Sequence, residues 1–230
     1  MSATPDLVRP PTRRAALAGL PQRWPVTVEA YHALAAAGAI ALEERVELVN
    51  GQILAMSPVG GPHIALVMRL QRHFERAILH ADPAPFDVLV QSPLRLGPRD
   101  EPEPDVALVR AGWSPLHPPT AAAALLVVEV AEATLRFDRG PKRTRYARAG
   151  VPEVWVVDVA GGTVEVARGA IPAEGAYAEI RRLGPGDVLR VAALPDVPAL
   201  ALDALFDGLL GDERPGNAPG DTPGDTPGGA

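Results

Sequence analysis

The sequence predicts an α/β (α+β) fold in which a mixed central β-sheet is flanked by helices. Three observations predict it. Strand-like apolar runs outnumber helical ones, two helical segments lie between strands, and one of the strand runs, AALLVVEVA, is apolar almost throughout. Continuous apolar runs of that length belong to strands covered on both faces, and helices interleaved with strands supply the cover.

Taken in order, Thr27 can cap a helix over 28–38, with Val28, Tyr31, Leu34 and Ala35 on one face and Gly38 ending it. RVELVNGQILAMSP reads as a hairpin turning on Asn50-Gly51. Pro62 and His63 open a helix to about His80, with Ile64, Val67, Met68, Phe74 and Ile78 at helical spacing. FDVLVQSPLRL, PDVALVR and AALLVVEVA are strands. Pro141 suits the first turn of a helix that ends near Gly150. EVWVVDV and TVEVAR are strands about Gly161-Gly162, AYAEIRRL and DVLRV complete the set, and ALALDALFDGLL forms a closing turn and a short helix.

The chain of 230 residues is expected to hold one folded unit over 23–210. Residues 1–22 read as a flexible arm. The Gly/Pro/Asp tail 211–230, with its GDTP repeat, has a composition that cannot bury apolar surface. Hydrophobic residues make up 47% and aromatics 4%, so the core is aliphatic. The absence of cysteine excludes disulfides, thiolate metal sites and a thiol nucleophile. A net charge of −6 argues against a general nucleic-acid coat. No apolar run approaches the ~20 residues of a membrane span, so a cytoplasmic protein with no membrane partner is expected. HEXXH, GXSXG and P-loop signatures are absent.

Glu129 is the most informative residue, because its neighbours in LLVVEVA are all apolar. A carboxylate there is costly unless paired or bound to a metal. The alternative is an acid at a strand end that reaches solvent or a structural arginine. Asp105 follows EPEP and precedes VALV, at the mouth of another strand. Alone it reads as a strand-start residue; beside Glu129 the two could share a hard cation such as Mg²⁺. Glu47 could complete the carboxylate set or form a cross-strand pair with an arginine. Asp138, Lys142 and Tyr146 are spaced i, i+4, i+8, on one helix face. Lys142 could orient a metal-bound water or stabilise charge on a phosphate, with Asp138 positioning it; the alternative is a solvated Asp138–Lys142 pair. RFDRGPKRTRYAR also supplies a local positive patch. His63 could touch a substrate phosphate or transfer a proton, though a plain helix-start contact is the commoner role.

The order of these pieces resembles the Uma2 restriction-endonuclease family of the PD-(D/E)XK nuclease superfamily. RVELVNGQILAMSP, PH at a helix start, EPDV, LLVVEV, D-x-x-x-K-x-x-x-Y and GVPEVWVVD follow one another over about Thr27–Phe206. The resemblance implies a restriction-endonuclease-like core, a Mg²⁺ or Mn²⁺ cofactor held by Asp105, Glu129 and Glu47, and a DNA substrate. It also implies a homodimer, since cutting two strands needs two sites. The superfamily's lysine usually lies two residues after the second acid, where this chain has Ala131. Lys142 matches the helix-borne position of the family instead, with Asp138 and Tyr146 on the same face. One departure is AEAT, in place of a Ser-Pro-Ser-Thr-like stretch after Glu129. The implied activity is hydrolysis of phosphodiester bonds in DNA. A non-catalytic binding or scaffold module with a vestigial site is the second reading, and action on RNA the third.

Overall fold

The computed structural model describes residues 24–209 apart from residue 42. The expected arm and tail, 1–22 and 211–230, lie outside the described residues. Six strands form one mixed sheet in the order β3-β4-β5-β6-β7-β8: Phe86–Val90, Val106–Arg110, Ala124–Ala131, Glu153–Asp158, Thr163–Ile171 and Ala176–Leu183. All neighbours pair antiparallel except β5 and β6. A parallel pair needs a crossover, and the helical segment of residues 135–148 provides it. β1 (Val46–Val49) and β2 (Gln52–Ala55) form a separate hairpin. Its turn residues Asn50 and Gly51 have φ of 54° and 69°, the left-handed pair that a two-residue hairpin turn requires. A Cβ on Gly51 would lie 2.8 Å from that of Pro25, so a close approach as well as the turn requires glycine there.

The centre of the sheet is buried on both faces. Leu126, Val128 and Val130 of β5 join Val106, Leu108, Trp155 and Val157 in a core under α2 (Gly61–Ile78) and α5 (Leu202–Phe206). Val127 and Ala131 point the other way and pack with Tyr146 and Ala147 from the crossover. All eight residues of β5 are buried, which is why its sequence reads as one apolar run. Glu129 shares the face of Val127 and Ala131 by simple alternation, and so points at the crossover helix.

Several boundaries differ from the sequence reading. The first helix, α1, covers Val28–Ala36, with Thr27 accepting the N–H of Ala30 at 3.2 Å. Gly38 at φ 72° follows it and lets Ala39 N–H reach the Leu34 carbonyl, a Schellman-type close. Of its expected apolar face, Val28 is buried and Leu34 exposed. On α2, His63, Leu66, Val67, Leu70 and Phe74 are buried, whereas Ile64 and Met68 face solvent. Two stripes of that helix satisfy the 3.6-residue period, and the one carrying both leucines meets the sheet. FDVLVQSPLRL is a strand only to Val90, because Gln91 turns to φ 43°. DVLRV shrinks to β9 (Val188–Leu189), which pairs with β10 (Leu200–Ala201) outside the main sheet.

Pro141 does not start its helix. The segment begins with α3 (Leu135–Phe137), widens into a π-turn over Asp138–Lys142, and continues as α4 (Arg143–Arg148). A proline inside an α-helix lacks a donor and clashes with the carbonyl four residues back. The wider π-turn relieves both problems.

Candidate functional site

A cavity of about 680 Å³ opens where the ends of β4 and β5, the β1–β2 hairpin, the start of α2 and the π-turn meet. Glu47, Glu103, Asp105, Glu129, Glu132 and Asp138 line it, together with Lys142 and His63. Every side chain singled out in the sequence therefore reaches one place, Tyr146 from behind Glu129.

Lys142 is the centre of the cluster. Its Nζ lies 3.0 Å from Glu47 Oε2, 3.0 Å from Glu129 Oε1 and 3.1 Å from Glu129 Oε2. Lys142 and Glu129 are 4% and 3% exposed. Tyr146 OH donates to Glu129 Oε1 at 2.5 Å. The i,i+4 geometry with Asp138 thus gives neither a solvated pair nor a direct bond. Asp138 instead accepts from Thr134 Oγ1 at 2.5 Å and acts on Lys142 through its charge. Glu47 has a lysine partner rather than the arginine considered from sequence, and it also accepts the N–H of Glu103 at 3.1 Å.

Asp105 Oδ2 accepts the N–H of Val130 at 2.8 Å, which ties the mouth of β4 to the strand that carries Glu129. His63 Nε2 sits 3.1 Å from Asp105 Oδ1, brought there by the first turn of α2. The expected positive patch is mostly neutralised. Arg139 meets Asp158 and Glu165, Arg143 meets Glu165, and Arg145 meets Asp100.

Burial pushes the Glu129 carboxyl well above its ordinary range. Lys142 opposes that shift, while Asp138, Asp105 and Glu47 add to it. Lys142 moves up in spite of burial, because Glu129, Glu47 and Asp138 hold the proton on. It is an ammonium throughout the physiological range. Burial raises Asp138 and Glu103 as well. Six acidic side chains against one lysine and one histidine make the cavity predominantly acidic, a setting that a hard cation with oxygen ligands would relieve. Among the described residues no three His, Asp or Glu side chains stand together at metal-binding spacing. An ion here would have to draw on Asp105 and on a Glu129 carboxylate that already accepts from Lys142 and Tyr146, and would keep most of its water.

The geometry sharpens the role of Tyr146. Tyr146→Phe keeps the buried ring and removes a donor to a buried carboxylate. It should cost about 1.5–3 kcal/mol, read from the midpoint of urea unfolding.

The sequence carries two further signals of this site. Glu103 belongs to the period-two series Glu101, Glu103, Asp105, whose last two members line the cavity. More telling, Lys142 is the sole lysine of the chain, against 21 arginines. A compact ammonium can send separate donors to three carboxylate oxygens in a buried pocket, where a planar guanidinium would not fit the same three directions. Retention of one lysine in an arginine-rich chain is a signal in composition alone.

Known proteins agree with this architecture. No curated protein matches the chain. A crystal structure described as a "putative nuclease belonging to DUF820", from Anabaena variabilis, superposes with a TM-score of 0.65 at 15% identity, over 81% of this chain and 100% of that one. At that identity the likeness is one of fold. Among the described residues no helix is long and apolar enough to cross a membrane. The model of the Uma2 family, described as "Putative restriction endonuclease", matches residues 28–203. That span takes in the whole six-stranded sheet and every side chain of the lysine–carboxylate cluster, and on that ground the chain belongs to the Uma2 family.

Proposed function

We propose that the protein is a Mg²⁺- or Mn²⁺-dependent nuclease that hydrolyses phosphodiester bonds of DNA in this cavity. The observation that carries the reading is the excess of buried carboxylate around one buried lysine, at the ends of two adjacent strands. Asp105 and Glu129 would hold the ion, with Glu47 tied to it through Lys142. When bound, the ion supplies an activated water and a counter-charge for the phosphate.

The chain's own residues divide the remaining work. Lys142, kept protonated by Glu47 and Glu129 and with its N–H donors directed at their oxygens, serves as a fixed positive charge at the cavity wall; it is not a base. Tyr146 fixes the Glu129 carboxylate from the side away from the cavity. His63, beside Asp105 at the start of α2, is placed to meet a phosphate oxygen or carry a proton. Met56, Val59 and Phe137 give the cavity an apolar wall beside its acids. DNA as the substrate rests on the family.

Incubating duplex DNA, single-stranded DNA and RNA with wild type, Asp105→Ala and Lys142→Ala in Mg²⁺ or Mn²⁺ tests the assignment. DNA cleavage by wild type is expected, with loss in both variants; equal cleavage by all three proteins would sink it. The full occupancy of both Glu129 oxygens by Lys142 and Tyr146 favours one rival, a binding module that keeps the cluster as a structural ion network.

A further inference from the structure

We propose that the outer edge of β8 joins two copies of this chain, paired antiparallel about a two-fold axis at Ile180. The proposal stands on the sheet edge and not on the nuclease reading.

β8 is the last strand of the six-stranded sheet, and it runs for eight residues, AYAEIRRL, without proline or glycine. Among the described residues its backbone pairs with β7 and with no other segment. A long unpaired edge is a ready template for another strand. The opposite edge, β3, has five residues, is cut off at Gln91, and has its Asp87 carboxylate already bonded to the Trp113 indole N–H.

The side chains of β8 select both the partner and the register. An antiparallel pair of identical strands is symmetric about a residue, which then faces its own copy. An axis at Glu179 sets two glutamates face to face, and axes at Arg181 or Arg182 do the same with two arginines. Like charges directly opposite are destabilising. An axis at Ile180 places each Glu179 opposite the other copy's Arg181 and sets Ile180 against itself. Glu179 and Arg181 already pair along the strand, with side chains 44% and 72% exposed, and Ile180 is 48% exposed. Pairing therefore turns one surface ion pair into an alternating set of four charges and covers an exposed isoleucine.

The two-fold of such a pair is perpendicular to the sheet, so both α4 faces lie on one side of a twelve-stranded sheet. Glu129 aligns across the register with Val156, Glu165 and Arg182. The two Glu129 residues are then seven strand spacings apart across the sheet and about four residues apart along it, about 36 Å in a flat sheet, close to one turn of duplex DNA at ~34–36 Å.

Light scattering on the full-length chain tests the interface. The wild type should have twice the chain mass, Arg181→Glu once the chain mass, and Glu179→Arg with Arg181→Glu twice again. The chain has no cysteine, so Ile180→Cys should give a covalent dimer on mild oxidation, because facing residues lie ~4.5–5.5 Å apart between Cα atoms. Val188→Cys, also exposed but off the edge, should not. A wild type at once the chain mass overturns the proposal. So does a dimer that Arg181→Glu leaves intact, or one that Ile180→Cys fails to cross-link.

Discussion

Lys142→Met should lower folding stability by about 3–5 kcal/mol, the cost of stranding buried charge. The lysine is 4% exposed and its Nζ lies within 3.1 Å of three carboxylate oxygens. Without it Glu47 and Glu129 face each other across a buried space, and the Glu129 carboxyl, raised already, rises further. The pH dependence has a defined sign. A carboxyl whose folded pKa is raised contributes stability that is fully present below its ordinary value of 4.5 and is lost as pH climbs through the folded value. The deficit of Lys142→Met should therefore be smaller at pH 5 than at pH 8. Pairing the change with Glu129→Gln removes one of the two stranded charges and should recover part of the loss. Urea unfolding of the three proteins at both pH values reads all of this. A single-variant deficit under ~1 kcal/mol would show that water reaches the cluster and that the ion pairs are of the weak surface kind.

Divalent cations should stabilise the wild type, and Asp105→Asn should abolish that gain. An ion present at one hundred times its dissociation constant adds ~2.7 kcal/mol to the folded state, seen as a concentration-dependent rise in melting temperature. Asparagine at 105 can still accept the Val130 N–H, so the fold should survive while the charge is lost. Cleavage should fall by more than ~100-fold, beyond what removal of a residue that only supports a ligand usually costs. A wild type whose melting temperature ignores Mg²⁺ and Mn²⁺ would favour the binding-module reading, in which Lys142 already supplies the cation that the carboxylates need.

The sheet and its flanking helices were legible because their signals are local. AALLVVEVA announced a strand buried on both faces, and VNGQ announced its hairpin. Glu129 was legible for the same reason, as a charge among apolar neighbours. What the sequence hid were choices made by tertiary contact. Either of two α2 stripes could have met the sheet, and packing chose Leu66 and Leu70 over Ile64 and Met68. Pro141 looked like a helix start, since a proline without a donor is cheapest there; a π-turn offered it a second place. The partner of Glu47 was hidden as well, because 95 residues separate it from Lys142 and no periodicity links a hairpin to a distant helix.

The π-turn also bears on how such a site can be rearranged by mutation. A lysine on the strand of Glu129 would be fixed by pleat, its direction set by whether an even or odd number of residues separates it from the acid. A lysine on a helix is set by phase, and each residue added or removed before it rotates it by about 100°. A helix can absorb one surplus residue as a π-turn, as the segment around Pro141 does here. The cation can then be supplied by a different element while both strand carboxylates keep their register, which separates the inheritance of the acids from that of the cationic side chain.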